Sequence, residues 1–376
     1  MRPDRAAPPP DTPWPAASRC LPALLSAAPA ASTVAVGLHH DGRRAFYVHG
    51  RTAHHDGVPA HEATRFEIGS LTKTLTALLL AEQAARGELG PDDPLSRHLP
   101  PGTGLPRGAD ALTLTHLATH TSGLPRLPPG LVRRAVPHLF TNPYAVFTPA
   151  DTLRALSRAR LRSRPGTRVH YSNFGVGVLG HALCGAAGTQ DYGALLTARV
   201  LRPLGLHDTD CAATAPAGTD QVTGYWHGRP RPPFAIPGMP AAGAVRSSAR
   251  DLLTFTEALL DPAGTVRDDP LMRAALRDTL RPRLATRRGA QRTSLIWNIR
   301  PQRDGSVLYH HSGGTRGCTA FAGFDPHRRV AVVALANCAP GHGNELIQRA
   351  YDTLRSALGG LAEGGVGAPD EGEVGQ

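Results

Sequence analysis

The sequence predicts an α+β fold, and three observations carry that prediction. Alternating, β-rich runs lie near both ends of the chain, at 33–38, 319–324 and 330–336. The middle, from about 90 to 240, lacks clear strand patterns and consists of helix-like segments between Pro- and Gly-rich loops. Between the first strands and that middle lies one sustained helical pattern, at 70–86. Together these give a sheet part, about 19–70 and 240–358, whose halves enclose a helical part, about 71–239. A cleft between two such parts is the usual place for a site.

The elements follow in order. Residues 1–18 are Pro-rich and expected to be disordered. Residues 19–30 read as the first helix, leading into the strand at 33–38. The apolar run 21–31 could pass for a signal-peptide core, but cleavage near Ala30 would remove that helix, so a cytoplasmic chain is preferred to a secreted one. Residues 33–50 form a hairpin with its turn at Asp41-Gly42. In the helix at 70–86, Leu75, Leu78, Leu79 and Ala81 make a broad apolar surface and Gly87 a stop. Loops 126–150 and 221–240 carry Phe140, Tyr144, Phe147, Tyr225, Trp226 and Phe234, an apolar wall for a pocket. At the other end, Asp325-Pro326-His327-Arg328 turns the chain between the last two strands, and 343–358 form a closing helix. The Gly- and acid-rich tail, 359–376, is expected to be disordered.

Composition removes several function classes. A length of 376 residues with 41% hydrophobic content allows one large domain or two intertwined ones. Net charge is +11, but the arginines are scattered, densest at 154–168 and 281–292, without interleaved aromatics. That describes a solvated surface and not a nucleic-acid footprint. The five cysteines are widely spaced, with no CxxC pair and no disulfide framework. The histidine doublets at 39–40, 54–55 and 310–311 do not make an HExxH arrangement, so neither a metal nor a cofactor is expected. No apolar run reaches the length of a membrane-spanning helix.

The chemistry begins at Lys73. Of 41 basic residues, 40 are arginine and this one is lysine. A composition that favours arginine explains the forty and not the exception. Arginine keeps its proton in a protein, whereas a desolvated lysine can lose it. Lys73 therefore reads as an amine needed for proton transfer. Three residues before it stands Ser70, a candidate nucleophile on the same face of the helix. The helix N-terminus adds free backbone N–H groups and the positive end of the dipole. Two later motifs fit the same chemistry. In Tyr171-Ser172-Asn173, a phenol near an ammonium can pass a proton between nucleophile and leaving group. Asn173 can donate to a substrate carbonyl and accept from the Lys73 amine. In His311-Ser312-Gly313-Gly314, small residues let a substrate lie against a strand edge. The N–H of Gly314 could there complete an oxyanion hole with that of Ser70.

These three elements, in this order, resemble the serine β-lactamase and penicillin-binding protein superfamily, whose motifs are SxxK, then Tyr-x-Asn or SDN, then Lys/His-Thr/Ser-Gly. The Tyr-Ser-Asn form is similar to the class C β-lactamase branch, with its D-Ala-D-Ala carboxypeptidase, D-aminopeptidase and family VIII esterase relatives. The stretches 114–125 and 241–252 match that branch as well, and the resemblance covers about residues 20–358. It implies an antiparallel sheet flanked by helices beside an all-helical domain, with the site between them. It also implies attack by Ser70, proton transfer by Lys73 and Tyr171, and an acyl-enzyme that water or another acceptor releases.

One departure bears on substrate. Where β-lactamases of this type usually carry lysine, this chain has His311, and histidine is mostly neutral at pH 7. The reading is therefore a serine hydrolase of small esters or amides, with esters and D-amino-acid amides ahead of β-lactams. An acyltransferase of a metabolite is the alternative. A penicillin-binding or scaffold protein with little turnover is the third. Expected partners are a small ester, amide or β-lactam substrate, with no nucleic acid and no integral membrane segment.

Overall fold

The computed structural model describes residues 15–138, 142–285, 292–302 and 304–357. The tail at 359–376, most of the segment expected to be disordered at the N-terminus (1–14), and Phe140 lie outside the described residues. The strands are β1 (Thr33–His40), β2 (Arg43–Gly50), β3 (Phe66–Glu67), β4 (Gly224–Trp226), β5 (Arg229–Arg231), β6 (Arg246–Ser247), β7 (Leu284–Ala285), β8 (Arg292–Thr293), β9 (Asn298–Pro301), β10 (Val307–Gly314), β11 (Thr319–Asp325) and β12 (Val330–Ala336). The helices are α1 (Pro15–Leu25), α2 (Thr72–Ala85), α3 (Leu114–Ala118), α4 (Leu131–Ala135), α5 (Pro149–Arg158), α6 (Asn173–Ala186), α7 (Tyr192–Leu196), α8 (Ala249–Leu260), α9 (Pro262–Thr265), α10 (Pro270–Leu280) and α11 (Leu346–Ser356).

The main sheet runs β2-β1-β12-β11-β10-β9-β8-β7, and its pairs are antiparallel. The first two strands therefore lie beside the last one, as chain ends that share a sheet require. The β1–β2 hairpin turns at Asp41 (φ 47°) and Gly42 (φ 85°). Two positive φ values in succession are what the twist of a two-residue hairpin demands, and Asp-Gly meets that demand at low cost. β11 and β12 are buried along their whole length, because both faces of the sheet are covered. On one face, Leu21 and Leu24 of α1 and Leu346, Ala350 and Leu354 of α11 pack with Val36, Leu38 and Val332. On the other, α2, α8 and α10 join the helical region in one larger apolar cluster. None of the described helices is long and apolar enough to cross a membrane.

Three expectations need correction. The first helix runs Pro15–Leu25, so residues 15–18 are helical and not disordered: Ala17 packs with Leu21 and Leu24 against the sheet. The strand-poor middle contains a small hairpin, β4–β5, closed by His227 and Gly228 at positive φ. Its strands are too short to show a period in the sequence. The helix carrying Ser70 and Lys73 starts later than expected: residues Gly69–Leu71 form a 3-10 turn and the α-helix begins at Thr72. The broad apolar surface of Leu75, Leu78, Leu79 and Ala81 is buried, as are all residues from Thr72 through Gln83.

Candidate active site

The turn that presents Ser70 is built by glycines. Gly69 sits at φ 49°, in the left-handed region that a side chain rarely adopts. A Cβ there would come within 2.5 Å of the Gly314 carbonyl oxygen, and one at Gly313 within 1.9 Å of the Ile68 carbonyl oxygen. The nucleophile's turn is thus pressed against strand β10, with no room for side chains between the backbones. The glycines expected to open a strand edge for substrate also let Ser70 approach that strand.

Ser70 is half-buried at the end of that turn, and two donors converge on it. Lys73 Nζ lies 2.8 Å from Ser70 Oγ, and the Tyr171 hydroxyl lies 2.6 Å from the same oxygen. The amine also sits 5.1 Å from the centre of the Tyr171 ring. Lys73 is 0% exposed, a full desolvation for a group that carries charge in water. It donates a second bond of 2.6 Å to the Ala242 carbonyl. That carbonyl belongs to a 3-10 turn, Pro240–Ala242, held by Thr76, whose hydroxyl donates to the Ala241 carbonyl at 2.8 Å.

The Tyr-Ser-Asn triplet is the start of helix α6. Ser172 is its N-cap: Oγ accepts from the Gly175 N–H at 2.8 Å and donates to the Pro125 carbonyl at 2.7 Å. The cap places Tyr171 just outside the helix and Asn173 at its first residue. Asn173 does not accept from the Lys73 amine as expected. Its Oδ1 is buried without a hydrogen-bond partner, while its side chain bonds the Tyr144 hydroxyl. The Ala242 carbonyl receives the amine in its place, because the glycines of α6 let the 239–242 segment close in. A Cβ at Gly177 would meet Met239 at 2.5 Å, and one at Gly180 would meet Ala241 at 2.4 Å. Burial pushes the Tyr144 phenol up, against the opposing effects of the Asn173 bond, Arg126 and Arg316. Of the expected apolar wall, Tyr144 and Phe234 are in ring contact at 5.8 Å, and Trp226 is covered by Arg231 and Arg316.

In the third motif the histidine doublet splits across the sheet. His310 packs on Tyr351 of α11, whereas His311 lies on the side of Lys73. Burial, with the Lys73 charge added, pushes His311 down to about 3, so its imidazole is neutral. Its Nδ1–H donates to the Ser312 carbonyl at 2.7 Å, leaving Nε2 as an acceptor. Ser312 is half-buried and Gly314 exposed beside it.

Behind the β10–β11 turn lies a polar clamp whose residues belong to none of the three motifs. Glu67 accepts from Thr315 Oγ1 at 2.5 Å and from the Phe234 N–H at 2.6 Å, and Arg246 donates to the Phe234 carbonyl at 2.5 Å. These bonds tie the strand before Ser70 to the loop after Gly314. No group of three or more His, Cys, Asp or Glu suited to a metal occurs among the described residues.

The sequence profile of the Beta-lactamase family matches residues 21–356. The chain belongs to the Beta-lactamase family. Among its relatives, the D-alanyl-D-alanine-carboxypeptidase/endopeptidase AmpH of Escherichia coli (strain K12) is 36% identical over 169 residues, covering 44% of this chain and 42% of the relative. Putative beta-lactamase-like 1 of Homo sapiens is 30% identical over 314 residues, covering 80% of this chain and 59% of that protein. The chain thus spans less than two thirds of either. A beta-lactamase of Lysobacter lactamgenus is 27% identical over 368 residues, 88% of each chain. Among solved structures, a class C beta-lactamase mutant aligns with a TM-score of 0.77 at 22% identity, over 91% of this chain and 96% of that one. D-alanine carboxypeptidase AmpC from Burkholderia cenocepacia aligns at 0.74 and 25% identity, over 91% and 98%. The α+β, β-lactamase-like fold expected from the motifs is the fold found.

Proposed function

We propose that this Beta-lactamase family protein is a serine hydrolase that cleaves a small ester or amide through an acyl-enzyme on Ser70. The observation that carries the reading is the convergence of Lys73 Nζ and the Tyr171 hydroxyl on one serine oxygen. In the acylation step Ser70 Oγ attacks the substrate carbonyl carbon while its proton passes to Lys73 or Tyr171. The new C–O bond forms, the carbonyl oxygen becomes an oxyanion facing the N–H groups of Ser70 and Gly314, and the bond to the leaving group then breaks. The same proton goes to the leaving group. Water repeats the sequence in reverse and frees the acid. Correct placement of such acid–base groups is worth about 10²–10⁴ in rate.

The neutral His311 supports the ordering of substrates. It supplies no cation for a carboxylate, but it can accept a hydrogen bond at Nε2. Positive charge comes instead from Arg126, whose guanidinium lies 5.5 Å from the centre of the Tyr171 ring, and from Arg316 near Tyr144. The names of the relatives, beta-lactamase and D-alanyl-D-alanine-carboxypeptidase/endopeptidase, extend the candidate substrates to β-lactams and D-alanyl peptides. Turnover of a p-nitrophenyl ester, a D-alanine amide and benzylpenicillin tests the reading. Hydrolysis of the first two ahead of the third is expected. Hydrolysis of benzylpenicillin ahead of both would overturn the substrate order, and no hydrolysis of any of the three would overturn the proposal.

A further inference from the structure

The loop 120–126 overlaps the stretch 114–125 whose sequence resembles the family, and apart from the Arg126 charge the proposed chemistry leaves it without a task. In the structure it braces the segment that ends in Tyr171. The Arg162 N–H donates to the Gly123 carbonyl at 2.7 Å, the Gly166 N–H to the Thr121 carbonyl at 2.8 Å, and the His170 N–H to the His120 carbonyl at 2.7 Å. Beyond Tyr171, Ser172 Oγ donates to the Pro125 carbonyl and the Phe174 N–H to the Arg126 carbonyl at 3.1 Å.

One further contact is made by a side chain of the loop itself. His120 Nδ1 accepts from the Ser172 N–H at 3.2 Å. The same residue therefore holds the two N–H groups that flank Tyr171, one with its carbonyl and one with its ring. The imidazole also packs on the phenol ring, with centroids 4.5 Å apart. To make these three contacts His120 adopts φ 56°, a left-handed conformation that histidine enters more readily than most residues. An accepting Nδ1 fixes the proton on Nε2, and Nε2 is buried without a hydrogen-bond partner among the described residues. A protonated ring would set N–H against N–H at Ser172. Burial, with Lys73 and His311 nearby, opposes that state.

We infer that His120 is a positioning residue for Tyr171: its carbonyl and its Nδ1 lone pair fix the backbone on either side of the phenol and so set the phenol's approach to Ser70. The inference rests on the acid–base role proposed for Tyr171. A misplacement of about 1 Å in such a group costs about 10²-fold.

The test compares His120→Gly with His120→Asn, using p-nitrophenyl ester hydrolysis and Tyr171→Phe as the reference. Glycine keeps the backbone conformation and the carbonyl but loses ring and acceptor. Asparagine tolerates the same φ and offers Oδ1 in place of Nδ1. The expected result is a kcat about 10²-fold lower for His120→Gly at unchanged KM, with His120→Asn recovering most of the loss. Equal kcat for His120→Gly and wild type, or equal losses in both variants, would overturn the inference. An unchanged rate in Tyr171→Phe would instead overturn the role proposed for Tyr171. ¹⁵N NMR of the wild-type imidazoles needs no variant to fold: His120 should carry its proton on Nε2 near neutral pH, and a proton on Nδ1 would contradict the inference.

Discussion

Lys73 is where charge and proton transfer can be separated. Lys73→Arg keeps a cation at the end of a four-atom stem but replaces an amine by a guanidinium that does not give up its proton. It should lower acylation of Ser70 by about 10²–10⁴, read as the burst of p-nitrophenolate. A full burst from a folded Lys73→Arg enzyme would show that the amine's proton is not used. The lysine was legible in the sequence because forty arginines surround it in composition, and Ser70 was legible because i and i+3 share a helical face. The Ala242 carbonyl that receives the amine was not. A backbone oxygen has no letter, and only the tertiary closing of the 240–242 turn on α2 brings it there. The same holds for the His120 contacts. His120 lies in a stretch already set apart as a family match, yet the sequence had nothing to say about which atoms it would hold.

At the scale of elements, Ser172 shows how a motif divides its labour. Tyr171 reaches the nucleophile, Asn173 opens α6, and the serine between them is the helix cap. Ser172→Ala removes the acceptor for the Gly175 N–H and the donor to the Pro125 carbonyl. A destabilisation of about 1–2 kcal/mol is expected from the lost cap, measurable by urea unfolding. Activity per folded molecule should fall too, because the cap sets where Tyr171 leaves the helix. An alanine variant with unchanged midpoint would contradict the capping role. The hairpin at 33–50 and the strands at 319–324 and 330–336 were legible because Asp-Gly and alternating or continuous apolar runs report local geometry. The β4–β5 hairpin and the two-residue strands were not. Their positions come from tertiary bonds: β3 and β6, for example, pair from residues 66–67 to 246–247.

For the whole molecule, the sheet built from both chain ends makes folding depend on distant contacts, and buried polar groups specify several of them. Asp251 near the start of α8 is one: it accepts from the Asp208 N–H and from Thr209 Oγ1, both at 2.7 Å. Burial, aided by the neighbouring Asp208, raises its carboxyl from 3.8 to about 6. The native state then binds this proton more tightly than the unfolded chain does. The contribution to stability is present at acid pH and is lost as pH rises through about 4 to about 6. Asp251→Asn should remove that component, so that its stability relative to wild type improves by up to about 3 kcal/mol between pH ~4 and pH ~7. Tm profiles of the two proteins across that range check it; parallel profiles would contradict the raised carboxyl. The sequence could not disclose this, since burial of Asp251 follows from how α8 meets the 207–210 loop.

The claim on which the functional reading depends is that the acyl group is carried by Ser70. Intact-protein mass during reaction with a p-nitrophenyl ester, on wild type and on Ser70→Ala, tests it most directly. The expected result is a transient gain of one acyl mass on wild type, located at Ser70, and none on Ser70→Ala. An equal adduct on Ser70→Ala, or its undiminished hydrolysis of the ester, would contradict the account.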